Sequence, residues 1–279
     1  MEIGCELGGL EGLEGFPFRV LVSAGGAGRG RAVAERAERT VGWLDRQVGM
    51  PETPPLFVLG ADDWEKAATI SLYGMPHVDS DRIVVGQEPA PFWSAVTGVI
   101  TPLVDAEGLR LLQKVYGDPP QLGSFADLLV SHELSHLAHG RSWPKGPVGF
   151  WMKELAANLG LHGYVTELEP AESARLETIL EVTWSSVPNS HWPVRDLLRM
   201  EDSLAGDGSN YVWFEFGLQL LARRLWQTAG ATALQTVITA LRGPELDLGQ
   251  AVELLEHLDP AVAQAIRDWP QFPPEIMQS

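Results

Sequence analysis

The stretch Ser124–Gly140, SFADLLVSHELSHLAHG, decides how this chain is read. It has the marks of a single helix. Ser124 followed three residues later by Asp127 resembles a capping box with Asp in the Glu role, and Gly140 stands where a helix exits through a left-handed glycine. Four residues on an α-helix advance about 400°, so His132 and His136 project from one face a turn apart, and their imidazoles can meet one ion. Zn²⁺ takes neutral imidazole nitrogens at about 2.0–2.1 Å, and such a pair supplies two of its tetrahedral positions. Glu133 lies about 100° round the helix from His132, able to reach an open position without binding, which suits the general base for an activated water. The plainer alternative is a pair of surface histidines on an exposed helix, but their stripe also holds apolar Leu129, which turns it inward.

Working outward towards the N-terminus, FPFRVLV (16–22), PPLFVLG (54–60) and DRIVVG (81–86) read as short buried strands, with VTGVIT (96–101) as a candidate fourth. RAVAERAERTVGWLDRQVG (31–49) reads as an amphipathic helix with Val33, Ala37, Val41 and Leu44 on its apolar side. ADDWEKAAT is a shorter helix with Asp62 as its cap, and DAEGLRLLQKVYG runs helically from Asp105 to a stop at Gly117. SAGGAGRG (23–30) follows a strand and precedes a helix, yet no GxGxxG can be placed on it and no Gly-Lys-Ser/Thr follows. A plain connector is therefore expected there rather than a phosphate site. Residues 1–15 are acidic and glycine-rich and read as a flexible tail, with order beginning at Phe16.

Beyond Gly140 the pattern is helical almost throughout, in FWMKELAANLGLHGYV, PAESARLETILEVTW, VRDLLRMEDSLA, NYVWFEFGLQLLARRLWQTAG, ATALQTVITALRG and DLGQAVELLEHL. The expectation is an α+β chain: a small N-terminal mixed sheet with helices over residues 16–140, followed by a helical lobe over 141–279. No internal repeat is visible.

Composition narrows the partners. The net charge of -17 repels phosphate backbones and anionic headgroups, so neither nucleic acid nor a membrane surface is expected as a partner. No apolar run approaches the roughly 20 residues a membrane span requires. The first residues, MEIGCELGGLEGLEGF, hold four glutamates and lack the basic and apolar regions of a secretory leader. The one cysteine, Cys5, allows no intrachain disulfide, and together these features lead to the expectation of a cytoplasmic protein.

A third ligand separates the families of zinc site. The continuation HExxHxxGxxH fails, because His139 and Ser142 occupy the positions of its glycine and final histidine. HELSH followed by KELAAN instead resembles the gluzincin arrangement of thermolysin-like and aminopeptidase-like zinc peptidases, a zincin-like fold. The resemblance has specific motifs only at 132–136 and 154–158 and, weakly, at 211. It implies that Glu154 is the third zinc ligand and that Asn158, one turn on, bonds a ligand histidine where thermolysin-like members carry Asp. It further implies that Tyr211, at the start of a later helix, points its hydroxyl at the reaction centre and donates to the developing oxyanion. The alternatives are a solvated Glu154 beside Lys153 and a packing role for Tyr211 beside Trp213 and Phe214.

On this resemblance the chain is expected to hydrolyse a peptide or amide bond of a peptide or protein substrate, with Glu133 as general base and Zn²⁺ as cofactor. A zinc-binding module without peptidase activity is the competing expectation. Among the other histidines, His139 lies too far along the helix to share an ion with His132 and is expected against the C-terminal helix dipole. His191, in PNSHWP, is expected as a surface or packing residue, with an oxyanion role as the alternative, and His77, His162 and His257 carry no spacing argument.

Overall fold

The computed structural model describes residues 9–79, 81–88, 90–140 and 146–277. The chain is α+β, with five strands in one mixed sheet of order β1-β2-β3-β5-β4 and helices around it. The strands are β1 (Glu11–Leu13), β2 (Val20–Val22), β3 (Leu56–Leu59), β4 (His77–Val78) and β5 (Ile83–Gly86). β2, β3 and β5 run parallel, while β1 and β4 are antiparallel edges.

The three central strands are short apolar runs because both faces of the sheet are covered. Val20, Val22, Leu56, Val58, Ile83 and Val85 turn to the main core beneath α1 (Ala27–Val48). Phe57, Leu59 and Val84 turn the other way onto Trp64 and Ala67 of α2 (Ala61–Ala67). A period of two thus sorts one run onto two cores.

Two further helices follow the sheet, α3 (Pro91–Ile100) and α4 (Ala106–Tyr116). Next come α5 (Gly123–Ala126), α6 (Leu129–Leu137) and α7 (Gly146–Leu168). The remainder comprises α8 (Ser173–Ser186), α9 (Ser209–Ala229), α10 (Ala231–Leu241), α11 (Leu248–Leu258), α12 (Pro260–Arg267) and α13 (Pro274–Met277). Helix α7 is buried nearly all round, packed by α6, α9, α10, α8 and α1. A continuous core runs from Phe18 beside the sheet to Ile276 near the C-terminus, so the sheet and the helical half share one interior. None of the described helices is long and apolar enough to cross a membrane.

Several local expectations are corrected. VTGVIT is not a strand: residues 96–100 complete α3 and Thr101 opens a 3-10 turn, with Pro91 opening the helix and Phe92, Trp93, Val96, Thr97 and Ile100 buried at helical spacing. The β-branched residues suggest a strand locally, but burial at three- and four-residue intervals overrides that preference. The 1–15 tail is partly structured, since Glu11–Leu13 pairs with β2; residues 1–8, Cys5 included, lie outside the described part. Asp62 does not cap α2, whose N-cap is Gly60, whereas Asp105 does cap α4 by accepting the Gly108 N–H at 2.7 Å.

The segment Ser124–Gly140 is two helices rather than one. At Asp127–Leu128 the bonding tightens to three-residue steps, with Leu128 N–H to the Phe125 carbonyl and Ser131 N–H to the Leu128 carbonyl. Ser124 makes no capping bond. Asp127 serves α1 instead, pairing with Arg29 at 2.6 Å while its carbonyl accepts from Arg36 at 2.9 Å. Gly140 does take a positive φ, 98°, at the exit.

Candidate metal centre

Helices α6, α7 and α9 and strand β4 supply the titratable and amide side chains that line a cavity of about 190 Å³. Helix α6 contributes His132, Glu133 and His136, α7 contributes Lys153, Glu154 and Asn158, α9 contributes Tyr211, Glu215 and Gln219, and β4 contributes His77 and Val78. The close approach of α6 and α7 has a sequence cause. A Cβ at Gly160 of α7 would stand 2.1 Å from Ser135 Oγ of α6, so only glycine lets the helices meet there. Ser131 Oγ shares a hydrogen bond of 2.8 Å with Thr40 Oγ1, fastening α6 to α1 behind the histidines.

His132, His136 and Glu154 are brought together, all buried. The two Nε2 atoms are 3.1 Å apart, and Glu154 Oε2 lies 3.3 Å from His132 Nε2 and 3.1 Å from His136 Nε2. Ligands about 2.0–2.1 Å from a tetrahedral Zn²⁺ are separated by about 3.3 Å, so three sides of 3.1–3.3 Å match one face of that tetrahedron. Among the described residues this is the only trio of His, Cys, Asp or Glu so placed. The charges agree with the geometry. Glu133, Glu154 and Glu215 all line the cavity beside the single ammonium of Lys153, so a divalent cation bound there would have three carboxyl groups to balance it.

In the protein alone a proton holds this trio together. Burial disfavours a charged His132, but the hydrogen bond to Glu154 and the nearby Glu133 and Glu215 carboxylates prevail and raise it to about 9. His136, buried and next to that imidazolium, is pushed down to about 4. Glu154 is held well below the usual carboxylate range: burial opposes this, but His136, His132 and Lys153 win. The alternative of a solvated Glu154 does not hold, since the residue is buried, although Lys153 does stand beside it at 3.3 Å.

The hydrogen bonds behind His132 orient its ring. Asn158 Nδ2 donates to Glu215 Oε2 at 3.0 Å, since an amide nitrogen can only donate. Asn158 Oδ1 consequently faces His132 Nδ1 at 3.0 Å and accepts its proton, which leaves Nε2 directed at the other two members of the trio. Glu215 was not singled out from sequence. It is the carboxyl group that Asn158 lacks, supplied one bond further away and from a different helix. The only signal available was its position four residues after Tyr211 on the helix expected to face the site.

Glu133 lines the same cavity and is pushed up to about 7, chiefly by burial, with the Val78 backbone of β4 acting weakly the other way. Tyr211 also lines the cavity, and its phenol is held well above the usual value by burial and by the Glu154 and Glu215 charges, so it is a donor at neutral pH. His139 is corrected: it does not sit as a cation at a helix end but is buried beside His136, with ring centroids 6.1 Å apart, and burial lowers it to about 4. His191 is exposed and outside the cavity lining. His77 lines the cavity, bonded through Nδ1 to the Met75 carbonyl at 3.0 Å; buried His162 does not line it, and exposed His257 bonds the Glu253 carbonyl.

No protein-family model, no curated protein and no solved structure matches this chain. The arrangement therefore has to be read from its own chemistry.

Proposed function

We propose that the protein is a zinc-dependent metallopeptidase of gluzincin type, with a zincin-like arrangement of sheet and helices around the site. The observation that carries this reading is the buried trio His132, His136 and Glu154 with Nε2 and Oε2 atoms 3.1–3.3 Å apart. These residues would hold the ion, which supplies Lewis acidity towards a carbonyl and acidifies water at the site.

The remaining chemistry belongs to the chain. Glu133, kept near neutral pKa by burial, takes a proton from the attacking water and returns it to the leaving nitrogen. Tyr211 donates a hydrogen bond to the oxyanion that develops on the carbonyl. Asn158 and Glu215 keep the His132 tautomer in place throughout. The edge position of β4 beside the cavity supports a peptide substrate, since an extended chain can add along an open strand. A base as well as a metal trio in one cavity favours catalysis over a binding role, for binding alone has no need of Glu133. The acidic surface speaks against nucleic acid and membrane partners, and the single cysteine goes with a cytoplasmic setting.

The test is elemental analysis together with peptide hydrolysis. The wild type should carry stoichiometric zinc, and His132→Ala or Glu154→Ala should lose it. Glu133→Gln should keep the metal and lose at least about 10²-fold in turnover. Full zinc in both ligand variants, or full turnover in Glu133→Gln, would overturn the assignment.

A further inference from the structure

The cavity is deeper than a metal centre requires. Its mouth is formed by exposed Leu204 and half-buried Phe150 and Ile70, whereas its inner wall is Phe125, Leu161, Leu180 and Phe216, each buried. At that inner end stands Gln219, on the face of α9 that carries Tyr211 and Glu215 and two turns beyond Tyr211. Gln219 is only 3% exposed, yet neither its amide oxygen nor its amide nitrogen has a hydrogen-bond partner. A buried amide among hydrocarbon walls is costly unless something completes it, and no described side chain or carbonyl does so.

We propose that this shaft is the specificity pocket of the site and takes a tyrosine-type side chain of the substrate, whose phenol hydroxyl bonds Gln219. The inference rests on the metallopeptidase reading for its cleavage chemistry but not for its binding. Three features select the occupant. The walls are aromatic and aliphatic, which fits a ring and not a charged chain. The whole cavity, metal site included, encloses about 190 Å³, and about 150 Å³ suffices for a benzene ring, so its inner end is limited to a single ring. The amide needs both an acceptor and a donor, and a hydroxyl is the smallest group that gives both, donating to Oε1 and accepting from Nε2. A phenylalanine would fill the walls and leave the amide unmatched. A lysine would offer the Nε2 donor nothing to bond.

The experiment measures binding of N-acetyl-tyrosinamide, N-acetyl-phenylalaninamide and the glutamine and lysine analogues to the zinc-loaded full chain by calorimetry or ligand-observed NMR. In parallel, kcat/KM is measured on peptides differing at one residue in the same way. The tyrosine compound should bind on the order of tenfold tighter than the phenylalanine one or better, because a site built around a hydroxyl rejects the analogue lacking it. Gln219→Met, nearly isosteric, should bring the two within about twofold by removing the partner and leave phenylalanine affinity unchanged. Its melting temperature should be at or above that of the wild type, since an unmatched buried amide is gone. Gln219→Leu provides a second variant should the methionine disturb folding. The proposal is overturned if phenylalanine, glutamine or lysine binds as well as tyrosine, if no compound binds, or if the tyrosine preference survives both substitutions. Tyrosine selectivity lost in Gln219→Met but without any hydrolysis would leave the pocket standing and remove the peptidase reading. Hydrolysis without Gln219-dependent selectivity would do the reverse.

Discussion

At the scale of single residues, the site shows how a weak second partner is compensated. Asn158 can accept the His132 Nδ1 proton but carries no charge to make the imidazole more basic. Glu215, bonded to Asn158 at 3.0 Å, restores that charge through the amide when it is ionised. It does so at a cost, since burial and the Glu154 charge push Glu215 up to about 8. A divalent ion in the trio would favour its ionised form. If this chain of bonds matters for holding metal, Asn158→Leu should weaken zinc binding about 10–100-fold in competition with a chelator of known affinity, while the fold is retained. Unchanged affinity would show that the ring of His132 is oriented by packing alone.

At the scale of elements, two contacts set the positions of the helices that carry the site. The first is the crossing of α6 and α7 at Gly160, where any Cβ would overlap Ser135. Gly160→Ala should destabilise the protein by about 1–3 kcal/mol in denaturant unfolding. It should also lower zinc affinity, because Glu154 and Asn158 on α7 move away from the histidines on α6. The second is Glu169, just beyond α7, which binds Arg36 and Arg39 of α1 at 2.8 and 2.6 Å and accepts from Tyr164 at 2.7 Å. Burial acts to raise its pKa, but these donors prevail and hold it at about 2, against an ordinary value of 4.5. A depressed carboxylate contributes stability that is present above about pH 4.5 and is lost as pH falls through about 2. Glu169→Gln should therefore lower the melting temperature at pH 7, and the gap from wild type should close as the pH is taken towards 2.

Elements also show where local reading succeeds and where it stops. Asp105 and Gly117 bracket α4 as expected, because a cap bond and a glycine exit are made within a few residues of chain. The Asp127–Leu128 break was not legible, since the groups that engage Asp127 are Arg29 and Arg36, distant in sequence. The α3 helix was missed for a related reason. Which residues of 91–101 are buried depends on what packs against them, as with Trp93, whose indole bonds the Gly74 carbonyl.

For the molecule as a whole, the shared core would make a bound metal a structural link as well as a chemical one. The trio joins α6 to α7, and α9 is tied to both through Glu215 and Asn158. An ion bound only by the folded state stabilises it by about 2.7 kcal/mol at 100 times its Kd. Chelation should accordingly lower the melting temperature, with recovery on returning zinc. The effect should shrink at lower pH. His132 is raised to about 9 in the protein alone, so below that pH each ion must displace a proton, and affinity falls by about tenfold per pH unit. His136 and Glu154, lowered by their surroundings, bring no further proton near pH 7. Calorimetry in buffers of different ionisation enthalpy should find about one to two protons released per ion at pH 7, one from His132 and up to one more from Glu215, pushed up to about 8, and a count of zero would contradict this account.

What the sequence determined by itself was whatever depends on the helical and strand repeat: that His132 and His136 share a face with Glu133 beside them, that three short apolar runs are strands, and that the chain is α+β. The family resemblance pointed to Glu154 and Tyr211, and the tertiary structure brought both to the cavity with those three. Glu215, Gln219 and the burial of His139 were decided by tertiary structure alone. The reason is physical. A four-residue spacing fixes an angle on one helix, whereas the meeting of Asn158 with Glu215, 57 residues apart, depends on how α7 and α9 pack, and no local repeat encodes that crossing.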